Sequence, residues 1–421
     1  MKAPKQILLR ALLALFLVSS ALKAEPLLQP NDVVAICGDS ITQRQVYSAY
    51  IEDYLLMCQP VTGIRTVQFG SNGAGAYVLG KRTPRDLAFF HPTVATMMYG
   101  MNDGQYKPLN DERANGFRQG MLGSIDALKK IGIRTIIVGS PSCVDWVKNP
   151  EGRKMYNGTL AGLGDISRTI AQQQSLPFAD IHAAMGDAIA KGEAAVPGFN
   201  VGGDGTHVGP AGHLMIAYAL LKGMGLDGAV GTITVDLATH KAEGSPGQKI
   251  VSISGGSVEI ESTRYPFCFL PNPPNYAANI TAAGALPFLP FNAELNRYLL
   301  VVHGLTSARA TITWGGQSQV FARTDLEKGI NLADCFAAEN PFLTAFAKVD
   351  AAVHQQQDQE TRATWEYFAD ANDALRRAIP SQTAVLDQIQ DAAIKRCDAL
   401  ASAAAAQVVP VRHTILIEGL P

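Results

Sequence analysis

The chain has 421 residues, 47% of them hydrophobic and 17% charged, and a formal net charge of −2. That length exceeds one ordinary core and suits a large domain with a smaller one. The near-neutral balance excludes a basic nucleic-acid footprint, and nothing in the body reads as a collagen-like repeat or a disordered tail.

Lys2, Lys5 and Arg10 precede an apolar run over 11–18, which gives way to Ser19-Ser20-Ala21-Leu22-Lys23-Ala24. A basic start, a short apolar stretch and small residues describe a signal peptide over 1–24, cleaved after Ala21 or Ala24. The run is shorter than the ~20 residues that a spanning helix needs. The expectation is a secreted or periplasmic protein with no integral membrane segment after cleavage. The six cysteines (37, 58, 143, 268, 335, 397) show no CxxC pair and no metal-ligand spacing, so no metal is expected. Cys37 and Cys58 read as small buried thiols. Export permits disulfides, and Cys335–Cys397 is the first pairing to test.

From about residue 32 to 225 strands and helices alternate. Val33-Val34-Ala35-Ile36-Cys37 is an apolar run of the kind found in strands buried on both faces. A helix is expected over 44–58, then strands at 64–69, 93–99, 134–138 and 177–181. Helices are expected at 111–131, at 156–174 and after Pro210, a residue suited to a first helical turn. Repeated strand–helix units imply a parallel sheet covered by helices, with ligands outside the carboxyl ends of its strands. After Gly228 the composition turns to alternating β-formers, at 232–235, 251–254, 258–261, 298–302 and 310–314. Residues 341–405 return to helix, broken at Pro380, with Ser381 placed to cap the second segment. A last strand is expected over 412–418. The predicted organisation is an α/β core over 25–228, a β-rich region over 229–335, and a helical hairpin with a final strand over 336–421.

Four short segments carry chemistry. Gly38-Asp39-Ser40-Ile41-Thr42 follows the first strand, and Gly70-Ser71-Asn72-Gly73 the second. Gly100-Met101-Asn102-Asp103 follows the third. Asp204-Gly205-Thr206-His207 precedes Pro210-Ala211-Gly212-His213. In this order the segments resemble the signature blocks of the SGNH (GDSL) hydrolases, over roughly residues 30–225. The resemblance implies a flavodoxin-like three-layer α/β/α domain, a serine esterase activity and no cofactor. It also implies Ser40 as nucleophile, His207 as base and Asp204 as its orienting carboxylate. Ser40, Gly73 and Asn102 would form the oxyanion hole. The appended β and helical regions look like a larger bacterial subgroup.

The residue types fit that chemistry. A serine hydroxyl needs a base to take its proton, a histidine serves near neutral pH, and an oxyanion needs aimed donors. Competing readings stay open at this level. Ser40 is also a good helix cap, Asn102 a cap for the next helix, and Asp204 a turn residue before glycine. Gly70 or Gly75 is an alternative donor to Gly73. Asp39 and Asp103 are expected to bond their local backbone. His91, His213 and His240 are expected to be structural or exposed, and Trp365, Tyr367 and Phe368 to lie in a hairpin core. A dinucleotide-binding oxidoreductase would need GxGxxG at the first strand–helix turn, which reads GDSIT here, and an α/β-hydrolase would need GxSxG. The expected substrate is a small-molecule or polysaccharide ester, with O-acetyl groups of carbohydrates favoured. A lysophospholipid or aryl ester is the alternative, as is a non-catalytic glycan binder on the same scaffold.

Overall fold

The computed structural model describes residues 27–271, 281–366 and 370–421. The leader read over 1–24 and the aromatic residues Tyr367 and Phe368 lie outside the described residues, as does the side chain of Trp365.

The core runs β1 (Val33–Gly38), α1 (Ser40–Gln43), α2 (Tyr47–Met57), β2 (Arg65–Gly70), α3 (Ala76–Arg82), β3 (Val94–Met98), α4 (Asp111–Lys130), β4 (Thr135–Gly139), α5 (Pro150–Gln173), β5 (Phe178–Ala179), α6 (Ile181–Ala195) and α7 (Pro210–Gly223). Its strands form a five-stranded sheet in the order β2-β1-β3-β4-β5, with every pairing parallel. This is the flavodoxin-like order, in which the chain reverses direction across the sheet between β1 and β3. Alternation along β1 separates the two faces. Val34 and Ile36 pack with α2, α6 and α7, while Ala35 and Cys37 pack with α3, α4 and α5. Two buried faces are why β1 reads as an unbroken apolar run.

Several helices depart from expectation. The helix read over 44–58 starts at Tyr47 and ends at Met57, and a separate single turn from Ser40 to Gln43 precedes it. The helix read from 156 begins at Pro150, with Asn149 accepting from the Gly152 N–H at 3.0 Å. Gly152 hides that first turn from a propensity reading. The seven-residue α3 and the fifteen-residue α6 receive no range from the sequence.

The chain continues through β6 (Ala229–Asp236), β7 (Lys241–Gly244), β8 (Gln248–Ser254), β9 (Ser257–Ser262), α8 (Phe291–Leu295), β10 (Arg297–His303), β11 (Arg309–Trp314), β12 (Gln317–Ala322), α9 (Arg323–Lys328), β13 (Ile330–Asn331) and α10 (Leu332–Cys335). It ends with α11 (Leu343–Glu366), α12 (Asp370–Ala378), α13 (Thr383–Ala406) and β14 (Val411–Leu420). These strands make two sheets, β13-β10-β6-β7 and β12-β11-β14-β9-β8. The second is antiparallel throughout, and β14 lies inside it, between β11 and β9. His413 of β14 is buried there, with Ser262 Oγ at 2.9 Å from Nε2, while the Trp314 indole N–H donates to Nδ1 at 3.1 Å. Burial lowers the His413 imidazole to about 4, so it is neutral.

Helix α11 lies along the outer edge of β2. The Gln68 N–H donates to Glu360 at 2.8 Å, and the Gln356 amide donates to the Thr66 carbonyl at 3.2 Å. Side chains thus satisfy an edge that would otherwise face solvent or another chain. Ser381 does not cap α13. Pro380 opens a short 3-10 turn through Gln382, and Gln382 precedes the helix without a side-chain bond. All six cysteines are free. Cys397 is buried against Val67, Phe90 and Ala363, whereas Cys335 packs beside the β-rich region, so the pairing Cys335–Cys397 does not form.

Candidate active site

Ser40 stands at the carboxyl end of β1, at the point where strand order reverses. Asp39, not Ser40, caps α1: its Oδ1 accepts from the Ile41 N–H at 2.9 Å. The serine hydroxyl is thereby left for another partner. That partner is His207, whose Nε2 lies 2.9 Å from Ser40 Oγ. The helix behind Ser40 is a single turn of four residues, so its contribution to charge at this end comes from the first N–H groups and not from a long dipole.

The loop before α7 builds the second half of the site. Asp204 Oδ1 accepts from the N–H of Thr206 at 2.9 Å and of His207 at 2.7 Å, while Oδ2 lies 2.9 Å from His207 Nδ1. The turn-residue reading and the orienting reading of Asp204 therefore describe one residue with both sets of bonds. Burial raises the Asp204 carboxyl. The bonds from the His207 ring and from the two N–H groups outweigh it and hold the group below its ordinary value. With Asp204 ionised, Nδ1 carries the imidazole proton and Nε2 is bare, ready to accept from Ser40.

The remaining blocks meet at the same sheet edge. Asn102 caps no helix: α4 begins at Asp111, capped by Asn110. The Asn102 amide donates to the Ala74 carbonyl at 3.0 Å and sits 3.5 Å from Asp39 Oδ2. Gly73 has φ of +68°, a left-handed conformation that glycine adopts without strain, and open space where a Cβ would stand. Gly73 and Asn102 border one groove of about 720 Å³, which Gly75, Asp103 and Tyr77 also line.

Asp103 bonds farther away than expected. Its Oδ1 accepts from the Ala76 N–H at 2.9 Å, 27 residues back in the chain, and pins the glycine loop against the asparagine loop. Asp39 does bond locally, but burial pushes its carboxyl up to about 7, and the nearby Asp103 adds to the shift. His213 is buried and stacked on Tyr47 with ring centroids 6.0 Å apart, and burial lowers it to about 3. His91 and His240 are exposed.

One part of the site went unread in the sequence. After β4 the Asp145 N–H donates to the Gly205 carbonyl at 2.7 Å, and the Trp146 indole N–H donates to Thr206 Oγ1 at 2.9 Å. These bonds seat the histidine loop. The available signal was positional, since residues 143–146 lie beyond the carboxyl end of the fourth strand. Among the described residues no group of three or more His, Cys, Asp or Glu side chains is placed to hold a metal ion, and no helix is long and apolar enough to cross a membrane.

Residues 36–215 match the GDSL-like Lipase/Acylhydrolase family. No curated protein gives a significant sequence match. Among solved structures, BT4096, described as a gut microbial diltiazem-metabolizing enzyme, is similar at 21% identity and a TM-score of 0.72. The similarity covers 93% of this chain and 98% of that one, and it is a likeness of fold. Axe2, an acetylxylan esterase from Geobacillus stearothermophilus, shares 23% identity over 47% of this chain and 96% of its own, with a TM-score of 0.39. The family match and the α/β/α architecture that carries it make residues 36–215 a GDSL-like lipase/acylhydrolase domain, a serine ester hydrolase of the SGNH type.

Proposed function

We propose that the chain is an exported serine esterase that removes short acyl groups, acetyl first, from carbohydrates. The observation that carries the catalytic reading is the line from Asp204 through His207 to Ser40, with both hydrogen-bonding distances at 2.9 Å. His207 Nε2 takes the proton as Ser40 Oγ bonds to the ester carbon. The carbonyl oxygen becomes an oxyanion facing the backbone N–H groups of Ser40 and Gly73 and the amide of Asn102. Collapse breaks the bond to the alcohol oxygen, which leaves with the proton from His207. Water, activated by the same imidazole, then attacks the acyl-enzyme, and the acid departs as the serine recovers its proton. Asp204 stabilises the imidazolium throughout.

The short-acyl reading is supported by the walls around the site. The groove beside Gly73 and Asn102 carries Asp103, Gln105, Gln119 and Arg113 and several glycines, with Tyr77 and Phe117 as its large apolar side chains. A long alkyl chain requires an apolar channel. The more apolar cavity, about 790 Å³ around Phe269, Leu270 and Leu343, shares no residue with the four site loops. The test is a series of para-nitrophenyl esters of rising chain length, run beside acetate release from an acetylated oligosaccharide. Acetyl esters should be cleaved at least about tenfold faster than octanoyl esters. A rate that climbs with chain length would overturn the reading in favour of a lipid esterase.

A further inference from the structure

The proposed chemistry fixes how an ester must lie across Ser40. Its carbonyl oxygen faces Gly73 and Asn102, while its alcohol oxygen must take a proton from His207. The alcohol arm therefore runs past His207, and the residues there are aromatic. Trp146, bonded to Thr206 beside His207, lies parallel to Tyr156, with centroids 5.6 Å apart and planes 5° apart. Tyr106 stacks on the same Tyr156 at 5.0 Å and stands 6.1 Å from Trp146. Tyr156 is fully buried, and its hydroxyl donates to the Met101 carbonyl next to Asn102, so the base of the stack is fixed.

The upper ring of this stack is presented at a cost in backbone freedom. Tyr106 is 45% exposed, and it and Gln105 have φ of 56° and 53°, the left-handed region that side chains other than glycine rarely adopt. Such conformations persist only where the surroundings impose them, and they gather at binding and catalytic sites. Burial raises the Tyr106 phenol, and the carboxylates of Asp39 and Asp204 raise it further, as expected for a ring between the two halves of the site. Beyond Trp146 a pocket of about 460 Å³ is lined by Lys148, Asn149, Asn200 and Asp204.

We propose that Tyr106 and Trp146, seated on Tyr156, form a stacking subsite for the alcohol moiety of the ester, and that this moiety is a pyranose. The inference rests on the catalytic and carbohydrate readings above. A pyranose offers a face of C–H groups with partial positive charge, which complements the negative face of an aromatic ring. Its hydroxyls meet the polar wall of Lys148, Asn149 and Asn200. An alkyl alcohol would leave that wall desolvated without hydrogen bonds in return.

The experiment compares acetylated glucopyranose with ethyl acetate as substrates for the parent, Tyr106→Ala and Tyr106→Phe. The ratio of kcat/KM for the sugar ester to that for ethyl acetate should fall about tenfold in Tyr106→Ala, through KM. Tyr106→Phe should hold the ratio within about twofold of the parent. Because both substrates are read on the same sample, a partly unfolded variant lowers both rates and leaves the ratio intact. In parallel, titration of the parent with methyl xyloside should change tryptophan fluorescence saturably, and Tyr106→Ala should lose that change. An unchanged ratio in a Tyr106→Ala protein that still deacetylates the sugar overturns the subsite and leaves the carbohydrate reading standing. A parent enzyme that cleaves ethyl acetate but releases no acetate from the sugar overturns both.

Discussion

Two regions of this molecule gather carboxyl groups and treat them in opposite ways. In the histidine loop Asp204 is exposed, receives three hydrogen bonds and is held below its usual ionisation range. Where α11 meets α2 and β2, burial drives Glu52, Asp53 and Glu360 upward instead. Their partners there are mostly amides. Gln357 donates to Glu52 at 2.8 Å, Gln356 donates to Glu360 at 3.1 Å, and Asp350 faces Asp53. The seam uses buried acids, displaced upward by desolvation, to tie a helix to a sheet edge, while the loop sets an acid held below its usual range beside an imidazole. A displaced pKa alone therefore does not mark chemistry. What separates the two regions is access to solvent and an imidazole beside a hydroxyl.

The comparison breaks first at Ser40, the proposed nucleophile. Ser40→Ala should lose at least about 10⁴-fold in kcat with an unchanged melting temperature, and Ser40→Ala/His207→Ala should be scarcely worse than either single variant. Steady-state kinetics with an active-site phosphonate label checks both, and losses that add would separate the two residues. Next comes Asn102→Ala. Loss of one oxyanion donor lowers kcat by about 10²–10³ and leaves KM nearly unchanged. Because the Asn102 amide also holds the Ala74 carbonyl, a melting curve should accompany the kinetics: near-normal turnover with a lowered midpoint would make it purely a loop tie.

At the seam the effects fall on stability. Glu360→Ala strips the partner from the Gln68 N–H in a buried site and should cost on the order of 3 kcal/mol in unfolding free energy. Its kcat at a temperature where it is fully folded should stay within about twofold of the parent. A stable variant with damaged turnover would join the seam to the chemistry. The last effect is a pH dependence at Asp39, whose folded value of about 7 lies above its ordinary 3.8. The folded protein holds a proton that the unfolded chain releases between those values. Asp39 therefore favours the folded state most below pH 4 and progressively less as pH rises to 7. Asp39→Asn removes this loss, so its melting temperature relative to the parent should climb between pH 4 and 7 and then level off. A gap that ignores pH would contradict the burial argument.

The legible part of this fold is the part whose signals are local. Residues 33–37 announce a strand buried on both faces, and the turns after the first three strands carry their site residues within a few positions. Asp204 and His207 are three residues apart, so their pairing is short-range as well. What escaped depends on distant partners. Gln356, Gln357 and Glu360 form a polar run that in isolation describes a solvated helix face, yet all three are buried against β2 and α2. Asp103 looked like a local turn acid because nothing nearby names Ala76 as its partner. Trp146 lies beyond a strand end like the other site loops, but it belongs to no short motif, and its hydrogen bond to Thr206 spans 60 residues.

The place of β14 in its sheet has a consequence for how the chain matures. β9 and β11 do not pair with each other; each pairs with residues 411–420. During synthesis both strands leave the ribosome well before the segment that will join them. The antiparallel sheet is thus governed by contacts of high sequence separation, which makes its assembly slow compared with that of the strand–helix units ahead of it. Until β14 arrives, two open strand edges are exposed to neighbouring chains. The charged residues Glu259 and Glu261 on β9 are placed to discourage those neighbours while the chain waits, and Arg412 pairs with them once β14 arrives. Vectorial folding would then complete the hydrolase sheet first and lock the β-rich region last.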